Sequence, residues 1–162
     1  MDVREATPAD LDRIVDLHTR ARIAYYGAGG LPAEEIVNPE LAREQRDGWA
    51  VAIGAPHKHV RCVVVDGRLV GVLAMGPPHS SEVDAAQLYQ IHVDPDCWGR
   101  GIGSTLHGLF LCHLKVEELS VGVLEVWERN ARARAFYTRH GWHPDDTSRP
   151  GPLPSIDCGR RS

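Results

Sequence analysis

No apolar run in this sequence approaches the ~20 residues that a membrane-spanning helix needs, so no spanning helix and no membrane partner are expected. The opening Met1-Asp2-Val3-Arg4-Glu5 has neither the basic head nor the apolar stretch of a secretory signal, and a cytoplasmic protein is expected. Cysteine is scarce. Cys62, Cys97, Cys112 and Cys158 include no C-x-x-C pair, so neither a zinc site nor a redox motif is signalled and no metal is expected. Dense lysine or arginine runs are missing too, and the formal net charge is −4, which argues against a nucleic-acid partner. That charge permits a cationic or neutral substrate and selects neither. The Gly-Lys-Ser/Thr of a Walker loop and the G-x-G-x-x-G of a dinucleotide fold are both lacking.

What is present suffices for a globular protein. The chain has 162 residues, 43% of them hydrophobic, enough to bury a core without cross-links. One domain over residues 1–162 is expected, with no internal repeat and no linker.

Val3 to Ala6 alternates as an opening strand does. Thr7-Pro8-Ala9-Asp10 has the cap, the first-turn proline and the acid of a helix start. Leu11, Ile14, Val15 and Leu17 follow at helical spacing, predicting a helix to about Tyr25, broken by Gly27-Ala28-Gly29-Gly30-Leu31-Pro32. A second helical stretch covers 33–53, interrupted near Asn38-Pro39. Asp66-Gly67 marks a hairpin turn between strands 60–65 and 68–75. Pro77 to Ser81 is a loop, and a strand follows at 87–93. Then come a helix at 101–118, a strand at 121–127 and a short helix at 131–140 stopped by Gly141. In the proline- and glycine-rich C-terminal segment only Ser155 to Cys158 reads as a strand. The order implies an α+β fold around a mixed sheet with a strand-loop-helix unit at its middle.

That unit carries the chemistry. The strand Leu88 to Val93 enters Trp98-Gly99-Arg100-Gly101-Ile102-Gly103-Ser104 and then a helix. Alternate glycines leave backbone N–H groups uncovered at a helix N-terminus, where the dipole favours an anion. A pyrophosphate cradle over Gly99, Arg100, Gly101, Ile102, Gly103 and Ser104 is the physical reading, with Arg100 adding a charge-assisted contact. A plain tight turn is the alternative.

Ile91-His92-Val93-Asp94-Pro95 and this turn resemble the acetyl-CoA-binding segment of the GNAT superfamily, whose pattern is Gln/Arg-x-x-Gly-x-Gly/Ala. Gly101 and Gly103 match; Trp98 stands at the Gln/Arg position. A second segment, Asn130-Ala131-Arg132-Ala133-Arg134-Ala135-Phe136-Tyr137 running to Gly141-Trp142, resembles the other hallmark, Asn-x-x-Ala-x-x-Phe-Tyr-x-x-x-Gly-aromatic, at every named position. The resemblance covers about residues 2–142 and is sharp from Leu88 to Trp142. It implies a three-layer fold with a mostly antiparallel central sheet flanked by helices. It also implies acetyl-CoA, as cosubstrate, at a splayed central strand pair. The chain is expected to be an N-acetyltransferase moving the acetyl group to a primary amine, on a small molecule or a protein, by direct attack. Dimers are common in the family, and the sequence leaves the oligomeric state open, a homodimer included.

The resemblance assigns roles residue by residue. Tyr137 is the expected acid beside the sulfur: a phenol of pKa about 10 can donate to a thiolate of about 8.5 as charge builds. The backbone of Ile91, His92 and Val93 is expected to pair with the pantetheine amides, and Asn130 and Ala133 to line that arm. Tyr25 and Tyr26, before a glycine run, suit a lid over the acceptor, with Gln87 and Tyr89 on the acceptor side. For the base that must free the amine, Gln87 is chemically unfit. His92 reads as a strand histidine on the opposite pleat from Tyr89, Glu82 and Asp84 as solvated, and Glu125 as facing outward; none is assigned. His57-Lys58-His59 reads as a solvated loop, and the spacing of His107 and His113 is not that of a ligand pair. A non-catalytic acyl-CoA-binding module and a phosphate-binding loop in another fold stand as alternatives.

Overall fold

The structure, a computed structural model, describes residues 1–79, 83–149 and 156–161. Strand β1 (Asp2–Glu5) enters a turn organised by Asp10, which is 1% exposed. Its carboxylate accepts from both Arg4 terminal nitrogens at 2.8 Å, the Thr7 N–H at 2.8 Å and Arg13 at 2.5 Å. Helix α1 (Leu11–Ala28) follows, a turn longer than the sequence pattern implies. The stretch expected at 33–53 divides where Asn38-Pro39 interrupts it, into α2 (Ala33–Ile36) and α3 (Pro39–Gly54). Asn38 Oδ1 caps α3 by accepting from the Leu41 N–H at 2.9 Å, and proline at the first helical position costs no hydrogen bond.

Strands β2 (His59–Val65) and β3 (Arg68–Gly76) form the expected hairpin. Asp66 and Gly67 turn it with φ of 49° and 77°, the left-handed pair that a two-residue hairpin needs. Then come β4 (Ala85–Val93), α4 (Ile102–Val116), β5 (Val121–Trp127), α5 (Ala131–Arg139), β6 (His143–Arg149) and β7 (Ile156–Arg161). The sequence pattern misses β6, and its final strand is shifted: Ser155 lies outside the described residues and β7 continues to Arg161. The single sheet has the order β1-β2-β3-β4-β5-β7-β6. Every pairing is antiparallel except β4 with β5.

Strand β3 is buried on both faces, which makes the molecule three layers. Leu73 and Met75 join Leu106, Phe110 and Trp142 on the α4 side, while Val72 and Ala74 join Ile14, Leu17 and Trp49 on the side of α1 and α3. Two irregularities shape the middle. Ala74 pairs with Gln90 but Met75 with Leu88, so Tyr89 is an extra residue in β4, a bulge that bends the strand. The β4–β5 pairing runs only from Ala85↔Val121 to Leu88↔Leu124, although β4 continues to Val93 and β5 to Trp127. Beyond Leu88 the two strands part.

Candidate active site

The parting opens a cavity of about 900 Å³ that runs from the glycine turn, between β4 and β5, to the face of α3. Among the described residues, the edge of β4 that faces β5 has no strand partner past Leu88. That edge comprises Tyr89 to Val93, so the backbone of Ile91, His92 and Val93 is free on that side to take an extended peptide-like ligand. One group there is already engaged: the Val93 carbonyl accepts from Trp98 Nε1 at 3.1 Å.

At the mouth, Gly99 and Gly101 have φ of 77° and 80°, a region only glycine enters without strain. No side chain caps α4 at Gly101, so the first-turn N–H groups of Ile102, Gly103 and Ser104 point outward unsatisfied. Gly103 serves a second purpose. A Cβ on it would lie 3.2 Å from the Phe136 ring, so the glycine lets α4 and α5 approach. Ser104 Oγ meets His140 Nε2 at 3.2 Å. Arg100 is exposed and does not line the cavity, whereas Arg132 and Arg139 of α5 do. The Arg132 guanidinium lies over the Trp98 ring. Asn130 Oδ1 caps α5 by accepting from the Ala133 N–H at 3.1 Å, so its amide serves the helix as well as the cavity wall.

Deeper in, Phe136 and Tyr137 of α5 face the cavity. The Tyr137 ring packs on the α4-side core, and burial pushes its phenol well above the usual range. Its hydroxyl is therefore a proton holder at every ordinary pH, able to donate and slow to ionise. Among the described residues no protein group bonds it.

The opposite wall comes from α1, β4 and α3. The bulge at Tyr89 corrects the pleat expected for His92. With one residue added, Tyr89 and His92 both face the α1 and α3 layer: Tyr89 packs on that core and His92 stacks on His18 with ring centres 4.1 Å apart. Trp49 Nε1 donates to His18 Nδ1 at 3.0 Å, and His92 Nε2 meets Gln90 Oε1 at 2.7 Å. Burial, reinforced by Arg22, pushes the His18 imidazole from 6.5 to about 4. Burial lowers His92 as well, with His18 and Arg22 adding to the effect. Both rings are neutral near pH 7.

Tyr25 and Tyr26 stand on the last turns of α1, ahead of the glycine run, and line the cavity. Tyr26 packs against Trp127, 4.7 Å between centres, and thereby ties α1 to β5 across the gap. Burial raises the Tyr25 phenol, with the neighbouring Tyr26 adding. Gln87 Oε1 accepts from the His79 N–H at 3.1 Å, and Tyr89 Oη donates to the Pro77 carbonyl. Lys58 sits over the Tyr89 ring at 4.6 Å and lines the cavity, so it is not the solvated loop residue expected.

Glu125 lines the cavity instead of facing outward. Asp84 accepts from the Ser120 N–H at 3.2 Å, just before the paired part of β4. Glu82 lies outside the described residues. Among the described residues no group of acids, histidines and cysteines can hold a metal, and no helix is long and apolar enough to cross a membrane. His107 is spent on packing, its Nε2 accepting from Trp142 Nε1 at 2.9 Å.

Sequence reasoning passed over His18, Arg22, Trp49, Trp127 and Arg132. Only Arg22 left a local trace, four residues before Tyr26 and hence on one helix face with it. The others meet the site through tertiary contacts alone.

The model of the acetyltransferase (GNAT) family matches residues 14–142. Comparison with curated proteins gives no match. Solved structures that share the fold include the following three. PaiA N-acetyltransferase from Thermoplasma acidophilum, in complex with coenzyme A, is 18% identical at a TM-score of 0.81, with 99% of this chain and 97% of that one covered. An acetyltransferase from Thermus thermophilus is 19% identical at 0.74, covering 99% and 95%. The ribosomal-protein-S18-alanine N-acetyltransferase from Escherichia coli is 19% identical at 0.73, covering 98% and 91%.

Proposed function

The chain belongs to the GNAT acetyltransferase family, and on that premise we propose that it moves an acetyl group from acetyl-CoA to a primary amine by direct attack. The observation that carries this reading is the parting of β4 from β5 after Leu88, which joins an uncapped helix N-terminus to the Tyr137 side chain through one cavity.

The residues present fit acetyl-CoA. The N–H groups of Ile102, Gly103 and Ser104 suit a pyrophosphate, with Arg132 a cation on the same cavity wall. The free backbone edge at Ile91 to Val93 suits the amides of pantetheine, with Ala133 alongside. Bound there, acetyl-CoA supplies an activated acyl group as its thioester.

The protein then orients and manages protons. Tyr137 holds its proton at Oη and offers it to the sulfur as negative charge develops. Burial raises the phenol and a thiol in the same dry site alike, which keeps the two matched. On the acceptor side, a lysine-like amine of pKa about 10.4 is neutral in only about one molecule per thousand at pH 7. The apolar wall of Tyr25, Trp49 and the neutral His18–His92 pair favours the uncharged amine by desolvation. Glu125 and Tyr89 stand on that side, but burial, with Glu125 adding, raises the Tyr89 phenol, so Tyr89 is no base near neutral pH.

The experiment that tests this reading is thermal unfolding with acetyl-CoA, with ATP and NAD as controls. A ligand at a hundred times its dissociation constant adds about 2.7 kcal/mol of stability. A shift with acetyl-CoA alone is expected; its absence at millimolar concentration would remove the enzymatic reading.

A further inference from the structure

Among the described residues, three buried side-chain nitrogens have no hydrogen-bond partner: Arg22 Nε, His92 Nδ1 and Trp127 Nε1. They come from α1, β4 and β5, and all three residues line the same cavity. Orphaned buried polar atoms are rare, because each gives up its water without a replacement hydrogen bond. Their convergence on one cavity marks a wall that ligand atoms complete.

The chemistry of the three is specific. An arginine Nε–H and an indole N–H donate and cannot accept. His92 Nε2 meets the Gln90 amide oxygen, so with that amide orientation its proton sits on Nε2 and Nδ1 is an acceptor. The wall therefore calls for acceptor oxygens at Arg22 and Trp127 and for an N–H at His92.

Charge narrows the class. Arg22 makes no ion pair among the described residues, although Glu44 and Glu125 line the same cavity. The titratable groups that feel its charge are His18, His92, Tyr25 and Tyr26, all neutral near pH 7. It is also held in place: the guanidinium lies over the Tyr26 ring at 4.6 Å, and Tyr26 packs on Trp127 at 4.7 Å. A fixed, half-buried guanidinium without a counter-ion is prepared for an anion.

Resting on the acetyl-transfer reading above, we propose that Arg22 and Trp127 Nε1–H anchor a carboxylate on the acceptor. The substrate class is then an amine that carries its own carboxylate, as an amino acid does. The amide oxygens of pantetheine could accept from the same donors, but a neutral carbonyl leaves the Arg22 charge unbalanced.

The test uses the full chain and calorimetric titration, with and without saturating CoA. The probes are N-acetylated amino acids with apolar, acidic and basic side chains, each set against its carboxamide. At least one carboxylate is expected to bind about ten-fold or more tightly than its carboxamide, a preference that Arg22→Gln removes and Arg22→Lys keeps in part. Unfolding midpoints of both variants check that they fold. Equal binding of every carboxylate and its carboxamide by the unsubstituted protein overturns the proposal. So does an Arg22→Gln variant that loses CoA affinity while keeping the carboxylate preference, which would assign Arg22 to pantetheine. Failure of CoA to bind strikes the acetyl-transfer reading instead, and the carboxylate preference of the free protein still decides for or against Arg22.

Discussion

The Arg132 guanidinium lies over the Trp98 indole, 4.0 Å from its carbon to the ring centroid. Trp98 stands at the Gln/Arg position of the pattern that the glycine turn resembles, and its own Nε1 donates to the Val93 carbonyl. The indole thus serves as a shelf, and α5 brings the cation to the glycine turn. Trp98→Ala should weaken acetyl-CoA binding by removing a contact worth about 0.5–2 kcal/mol, and Arg132→Ala should weaken it at least as much. Trp98→Phe should retain most of the affinity. Equilibrium titration with acetyl-CoA checks all three; a Trp98→Ala protein that binds as well as the parent would leave the shelf without a role.

Tyr137→Phe should retain binding and lose turnover. Positioned proton donors contribute about 10²- to 10⁴-fold, so kcat should fall by at least the lower figure while stabilisation by acetyl-CoA persists. Single-turnover transfer to a test amine reads the chemical step directly. Undiminished turnover would remove Tyr137 as the acid.

At the cradle, charge and size can be separated. Gly103→Ala places a Cβ 3.2 Å from the Phe136 ring, and the helices must give by a few tenths of an ångström. Gly103→Asp adds to this a carboxylate among the N–H groups proposed to take the pyrophosphate. The aspartate variant should bind acetyl-CoA more weakly than the alanine variant, and raised salt should narrow the gap. Equal affinities would mean that only packing matters there.

The buried histidines give stability a pH signature. His18 takes its proton near pH 4 when folded but near 6.5 when unfolded. The unfolded chain therefore binds more protons between these values, so stability is full above pH 6.5 and falls as pH drops toward 4. For His18 the loss is on the order of 3 kcal/mol, and His92 shifts in the same sense. The Arg4 hydrogen bond holds the Asp10 carboxyl below its usual range. Asp94 is held low as well: bonds from Arg20 and the Asp96 N–H outweigh its burial. Both therefore titrate below the ordinary carboxylate range. Unfolding midpoints between pH 7 and 4.5 should fall in the parent and fall less steeply in His18→Gln.

Much of this architecture was legible in local patterns. Helical spacing at Leu11, Ile14, Val15 and Leu17 announced α1, which buries Ile14 and Leu17, and Asp66-Gly67 announced its hairpin. Asn38-Pro39 marked the division before α3. Strand β6 was not legible, because a proline-containing polar segment becomes a strand only by pairing with β7.

The sequence by itself determined the glycine turn, the Asn130-to-Trp142 segment and the order of elements as far as α5, because backbone propensity and spacing are local quantities. Tertiary structure decided which side chains share the cavity. The bulge at Tyr89 turned His92 toward α1, since one added residue reverses every later side chain of a strand. The parting of β4 from β5 opened the space, and α1 brought Arg22 and His18 to it from more than sixty residues away. No local pattern carries that information, because it arises only when strands and helices distant in sequence pack.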